Sequence, residues 1–433
     1  MDKNFKKYII FWLSQSVSQL GSSMTGFALI LWVYTMKQSA LTVSLMSFCN
    51  YVPYILVSLF AGTYVDRHNK KRIMLVSDSI AAGCSALVFL LWITNGLQVW
   101  HIYLVNSVIG FMNAFQAPAS GVAIGRIVPK EKLANVSGMN SFSQNMVAVF
   151  TPVFASFLFA INGLKIILMV DLCSFVAAFL VLLLVIQIPE YESDDQKRQS
   201  AFEGCKEGYR FLLKNQGIFV VVLTMALINF FSRLTYENIL SPMILARSGN
   251  DSMALGVVNA VMGIGGILGG ILVSAGKLSK NNVKMIYVSA ALSFLMGDLL
   301  MGAGRNVVLW SAAGLFASLP IAFINAGQNV ILYKRVPDKM QGRVFALRNA
   351  IQYSTIPVGI LLGGFLADYV FEPFMQSGVS VSLILQKVVG SGAGSGMAVM
   401  FLCTGILGCL FSIISYRQKA IRALEAEEKE EIK

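Results

Sequence analysis

The stretch IILMVDLCSFVAAFLVLLLVIQI, Ile166–Ile188, holds one charged residue, Asp171, in 23 positions. A helix that crosses a bilayer needs roughly 20 mostly apolar residues, and this run supplies them without the alternation of a half-buried strand. Eleven similar runs lie near 9–33, 41–62, 74–94, 99–121, 136–160, 217–245, 254–276, 285–303, 307–332, 344–371 and 397–416. Lipid offers bare backbone groups no partner, so runs of this kind must be helical. The sequence therefore predicts an all-α membrane protein with twelve transmembrane helices. Composition agrees. Hydrophobic residues make up 56% of the 433-residue chain and charged residues 13%, against about 25% charged in soluble domains. A net charge of +12 would by itself suggest a nucleic-acid binder; the composition excludes one.

The excess charge sets the orientation instead. Twelve spans put both termini on one side. The loops and tails of that side carry 27 of the 34 basic residues, among them Lys3, Lys6, Lys7, Arg67, Arg126, Lys130, Lys197, Arg198, Lys277, Lys280, Arg335 and Arg422. The opposite loops hold Lys37, Lys165, Arg247, Arg305 and Lys387, and Arg233 and Arg348 fall within spans. By the positive-inside rule the termini are cytoplasmic, and the setting is a cell membrane. The first apolar run is too long for a signal-peptide core and reads as an uncleaved span. Five of the six cysteines, Cys49, Cys84, Cys173, Cys403 and Cys409, sit in spans, so no disulfide framework is expected.

The chain divides into a six-helix half over 1–188, a cytoplasmic linker over 189–216, a second six-helix half over 217–416 and a charged cytoplasmic tail over 417–433. In the linker, Phe202, Cys205, Tyr209, Leu212 and Leu213 have the spacing of an amphipathic surface helix, with a solvated linker as the alternative. The two halves resemble each other. Asn113-Ala-Phe-Gln116 matches Asn325-Ala-Gly-Gln328, 212 positions on, and each is followed by a basic Val-Pro loop. Parallel six-span repeats build one large class of transporter, with its site between the halves.

The loop after the second run reads Gly62-Thr-Tyr-Val-Asp66-Arg67-His-Asn69-Lys70-Lys71-Arg72, and a second basic loop runs Val336-Pro337-Asp338-Lys339-Met340-Gln341-Gly342-Arg343. With these two loops the whole chain resembles the major facilitator superfamily, and within it the drug-efflux branch that includes macrolide exporters. The resemblance implies a conformational latch formed by Gly62, Asp66, Arg67, Lys70, Lys71, Arg72, Asp78, Gly342 and Arg343. Gly62 would admit a neighbouring helix closely, and Asn69, in a glycine position of the signature, would tolerate a left-handed turn. The fifth span departs from the branch, carrying Thr151-Pro152-Val-Phe-Ala-Ser where several glycines are usual, and the mid-span arginine of the fourth is absent.

Ionisable groups inside a bilayer are costly and mark function. Arg233 and Glu237 lie four apart in the seventh span, hence on one helix face. The resemblance lines the central cavity with spans 1, 4, 7 and 10, so the pair is expected either to couple proton and substrate occupancy or to fix packing as a static ion pair. Gln15, Gln19, Asn113, Gln116, Asn229, Phe230, Tyr236, Asn325 and Gln328 on those spans outline a substrate cavity. Asp171 and Asp298 fall on spans peripheral in the family, where structural pairing is expected. Gly263–Gly270 superficially matches a nucleotide loop, but it sits inside an apolar run and suits helix packing.

The expected function is proton-coupled efflux of amphipathic or hydrophobic compounds by alternating access, with a lipid or siderophore exporter of the same fold as the alternative. No Walker loop, metal-ligand spacing or clustered nucleophile is present, so no cofactor, metal or catalytic residue is expected. A passive channel fits poorly with the repeat and the latch. The expected partners are a small-molecule amphipathic substrate, protons and the lipid bilayer, with no nucleic acid, and the expected state is a monomer.

Overall fold

The computed structural model describes residues 3–128, 132–186, 201–275 and 281–431. Lys130, the linker residues 189–200, Lys277 and Lys280 lie outside the described residues, as do the side chains of Asp66, Arg126, Phe202 and Cys205 and the surroundings of Gly342. Among the described residues the regular structure is helical throughout. The first helices are α1 (Lys3–Lys37), α2 (Ala40–Arg67), α3 (Lys70–Ile93), α4 (Val99–Ile127) and α5 (Leu133–Leu184). Then come α6 (Ala201–Lys214), α7 (Gln216–Thr235), α8 (Leu240–Ser248), α9 (Ser252–Ser274), α10 (Asn282–Leu292) and α11 (Leu299–Ala303). The series ends with α12 (Val307–Arg335), α13 (Asp338–Leu366), α14 (Glu372–Gln376), α15 (Ser380–Val389), α16 (Ser395–Tyr416) and α17 (Lys419–Glu431).

Among the described residues ten helical segments are long and apolar enough to cross a membrane. One of them lies in α5, which breaks at Asn162 and Gly163, where φ reaches +58° at the glycine. That left-handed residue makes two spans of one, and the 29-residue α4 completes the twelve. Side chains start several helices in the usual way: Ser39, Asn69, Asn281 and Asn306 each accept the N–H three residues on. The outside of the molecule is apolar, with Phe60, Leu184 and Val308 more than 70% exposed. That surface suits lipid.

Three expected spans have interruptions. The seventh stops at Thr235, turns through 236–239 and resumes as α8. In the ninth, α10 passes through a π-helical stretch, Ser293–Asp298, into α11; a second such stretch, Ala367–Phe371, extends α13 into α14. The chain groups into two compact units, residues 1–193 with 250–260, and 194–249 with 261–433. In the first, Tyr8, Phe11, Met74, Ala119 and Leu182 anchor the core; in the second, Val221, Ile286, Tyr287, Phe294 and Ile331 do so.

The linker's second part is a helix, α6. Leu212 is fully buried with Leu332, Val336 and Val344, while Tyr209 and Leu213 stay exposed. The charged tail is also helical and docked. Ile421 and Leu424 of α17 join the core of the second unit. Glu428 accepts the N–H groups of Asn282 (3.1 Å) and Val283 (3.4 Å) at the start of α10. A carboxylate at a helix N-terminus satisfies orphan donors and meets the positive end of the dipole. Removing it by Glu428→Ala is expected to cost about 1–2 kcal/mol, read as a lower melting temperature in detergent. Glu427→Ala, which removes an exposed pair with Arg335, should change stability by less than about 1 kcal/mol.

The glycine series resolves into two faces. A Cβ at Gly265 or Gly269 would meet Ser318 and Leu315, or the Leu319 carbonyl, on α12; at Gly266 or Gly270 it would meet nothing within 4 Å. One small-residue face therefore holds a helix interface and the other does not. Gly269→Leu is expected to destabilise by about 1–3 kcal/mol through overpacking, and Gly270→Leu to leave thermal stability near that of the parent.

Candidate functional site

A cavity of about 790 Å³ opens among helices of the first unit. Its wall follows from helical periodicity. Gln15, Gln19 and Ser22 recur at i, i+4 and i+7 on α1, Asp78 and Ser85 at i, i+7 on α3, and Asn106 and Asn113 at i, i+7 on α4. Asn140 and Gln144 come from the first part of α5 and Asp171 from its second. Volumes of this size hold drug-sized ligands, but here amides and hydroxyls make up much of the lining.

Two carboxylates lie in this wall and differ in their partners. Asp171, 3% exposed, accepts hydrogen bonds from Ser22 (2.8 Å), Thr25 (3.0 Å) and Ser85 (2.8 Å). These bonds tie α1, α3 and α5 together at one point. Asp78 accepts one bond, from Gln116 Nε2 at 2.7 Å. Tyr8 donates to Asn140 (3.2 Å), and Ser143 to Ser16 (2.7 Å). Gln15 Nε2 and the Gln116 Oε1 atom are buried and make no hydrogen bond.

Gln15, Gln19, Asn113 and Gln116 are thus brought together in one wall. The second unit holds the others. Asn325 is exposed on α12, whereas Gln328 is 5% exposed and its Nε2 makes no hydrogen bond. Phe230 packs edge-on to Phe231, beside the half-buried Asn229. Tyr236 falls in the turn after α7 and packs edge-on to Phe401 at 5.2 Å, its hydroxyl beside the Asp298 carboxylate. The turn redirects this ring into helix packing within its own unit. Asp298 is 1% exposed and accepts from Thr404 at 2.8 Å. Arg233 and Glu237 form an ion pair across the end of α7, half-buried.

The basic loop takes a different form from the expected one. Asn69 has φ −62° and ψ 114° and accepts the Arg72 N–H at 2.8 Å. An N-cap needs extended backbone, so this asparagine is a capping residue and not a left-handed one. Among the described residues no atom lies within 4 Å of a Cβ built on Gly62, so none of them makes the expected close approach there. Lys71 donates to the carbonyls of Leu183 and Ile186, both at 2.8 Å, closing the end of α5. Lys70 is buried, and Arg67 and Arg72 are exposed. Asp78, grouped with this loop by the sequence, lies in the cavity wall with Gln116, about two turns along α3. Arg343 pairs with Glu207 and so fastens α6 to α13.

Sequence reasoning missed Asn50, Asn106, Asn140, Gln144 and the cavity position of Asp171. The i, i+4 spacing of Asn140 and Gln144 and the Ser22/Thr25 pair were the available signals. Twelve apolar helical spans, five helices of which enclose a polar chamber in the first unit, are the pattern of a multi-pass membrane transporter. The chain belongs to the Major Facilitator Superfamily, whose sequence profile matches residues 11–360. It is 26% identical over 368 residues to macrolide efflux protein A of Streptococcus pyogenes, covering 84% of this chain and 89% of that one. It is 23% identical to the staphyloferrin A transporter of Staphylococcus aureus over 382 residues, 86% and 93% of the two chains. In fold it is similar to a bacterial homologue of the human lysosomal transporter Spinster, with a TM-score of 0.68, 15% identity and 99% coverage of both chains.

Replacing Asp171 by Leu removes the acceptor shared by three hydroxyls. The expected cost is about 1–3 kcal/mol, seen as a fall in melting temperature that Asp171→Asn, which keeps one acceptor oxygen, reproduces only in part.

Proposed function

We propose that this transporter is a proton-driven exporter of amphipathic or hydrophobic compounds that works by alternating access of its two halves. The observation that carries this reading is the amide- and hydroxyl-lined cavity buried within membrane helices, in a chain similar over most of its length to a macrolide efflux protein. Gln15, Gln19, Asn113 and Gln116 supply hydrogen-bonding groups on one side of the transport path. Asn229, Phe230, Asn325 and Gln328 are their proposed counterparts in the second half. The distribution of basic residues supports a cell-membrane protein with cytoplasmic termini, and the loop from Gly62 to Arg72, with Gly342 and Arg343, acts as the latch.

Glu237 is the proposed coupling group and Arg233 its partner. An ion pair inside a membrane is stable only while both members keep their charge, so protonation of Glu237 frees Arg233 and marks a change of state. Glu237→Gln is expected to abolish transport driven by a proton gradient in proteoliposomes and to spare exchange between identical substrates; unchanged gradient-driven transport would remove Glu237 from coupling. A siderophore or lipid exporter is the second reading, supported by the similarity to the staphyloferrin A transporter. Drug susceptibility of an efflux-deficient host carrying the gene, with and without a protonophore, separates the two: the first reading expects resistance that the protonophore removes.

A further inference from the structure

We propose that the cavity of the first unit selects organic cations, taking a protonated amine against Asp78 with the Gln15 and Gln116 amides beside it. The proposal rests on the transport reading and narrows its substrate class. Among the described residues the wall holds two carboxyl groups and no Lys, Arg or His. In a chain with 34 basic and 22 acidic residues, a chamber with only acidic charges goes against the overall balance. Charges of one sign in a low-dielectric enclosure focus their field on the ligand, and the sign here favours a cation.

The two carboxylates have unequal capacity to serve it. Both oxygens of Asp171 are engaged, one by Ser22 and the other by Thr25 and Ser85, and the side chain is closed off. Its role is to hold three helices together and to add to the field. Among the described residues Asp78 has a single partner, Gln116, and it remains partly exposed on the cavity side of α3. The same Gln116 has an unpaired carbonyl oxygen, and Gln15 an unpaired amide N–H₂. An ammonium group donates several hydrogen bonds and accepts none. The Asp78 carboxylate and the Gln116 carbonyl are both acceptors, and the Gln116 amide bond to Asp78 fixes them as neighbours. Hydroxyl or ether substituents near the amine find a donor in Gln15.

The test uses the full chain in proteoliposomes and two probes with one fluorophore: dansylcadaverine, which carries a primary ammonium group, and its N-acetyl derivative, which is neutral. The parent protein is expected to bind the amine at least tenfold more tightly than the amide. Asp78→Asn should remove that preference, Asp78→Glu should keep most of it, and Asp171→Asn should lower the melting temperature more than the preference. Equal binding of the two probes to the parent protein, no saturable binding of the amine, or an undiminished preference in Asp78→Asn would each overturn the proposal. Saturable transport of the neutral probe with no preference for the amine defeats cation selection alone. Vesicles that move neither probe nor any drug under either gradient count against transport itself. The parent comparison needs no variant, so a misfolded Asp78→Asn chain leaves the test standing.

Discussion

A peptide N–H or C=O that enters hydrocarbon must find its partner inside the protein, because an unmade hydrogen bond there costs several kcal/mol. Helices meet this demand along their length and fail it at their ends. The side chains of this protein concentrate where the demand is unmet. Lys71 closes the last carbonyls of α5, Arg305 those of Lys387 and Val388 on α15, and Asn69, Asn281 and Asn306 open their helices. Lys71, one of the basic-loop residues that set the topology, is therefore also a helix terminator. The two roles need the same residues at the same depth.

The same demand governs polar side chains in the interior. Asp171 and Asp298 are both buried carboxylates answered by hydroxyls, three in one case and Thr404 in the other. Each fixes helices that hydrophobic packing alone would leave free to slide, since lipid competes equally for apolar surface. Asp171 differs in bordering an open chamber. Two of the hydroxyls that bind it, Ser22 and Thr25, come from the stripe of α1 that also lines the cavity, so structural support and ligand wall share one helix face.

The twelve spans were legible because the length of an apolar run is a one-dimensional property. So were Gln15, Gln19, Asn113 and Gln116, whose amides stand out in apolar helices and recur at helical spacing. What could not be read depends on contacts between distant segments. Nothing near Asp78 in sequence distinguishes a neighbour at Asp66 from one at Gln116. Tyr236 has the right spacing for a continuous helix, and the turn at 236–239 sends it elsewhere. Residues 419–431 are charged enough to suggest a solvated tail, yet Ile421, Leu424, Glu425 and Glu428 fall on a face that docks. The Asn69 assignment failed for a subtler reason. Glycine and asparagine share a tolerance for left-handed backbone, but asparagine also has a side-chain acceptor, and here the acceptor decided the geometry.

The docking of α17 also has a meaning in time. Its Glu428 completes the first turn of α10, yet 137 residues separate Asn282 from Lys419, the starts of the two helices. Chains emerge from the ribosome N-terminus first, so α10 enters the membrane with its leading N–H groups still facing water. Three further spans are inserted before their partner is synthesised. The ninth span is thus held provisionally during biogenesis and fastened at the end.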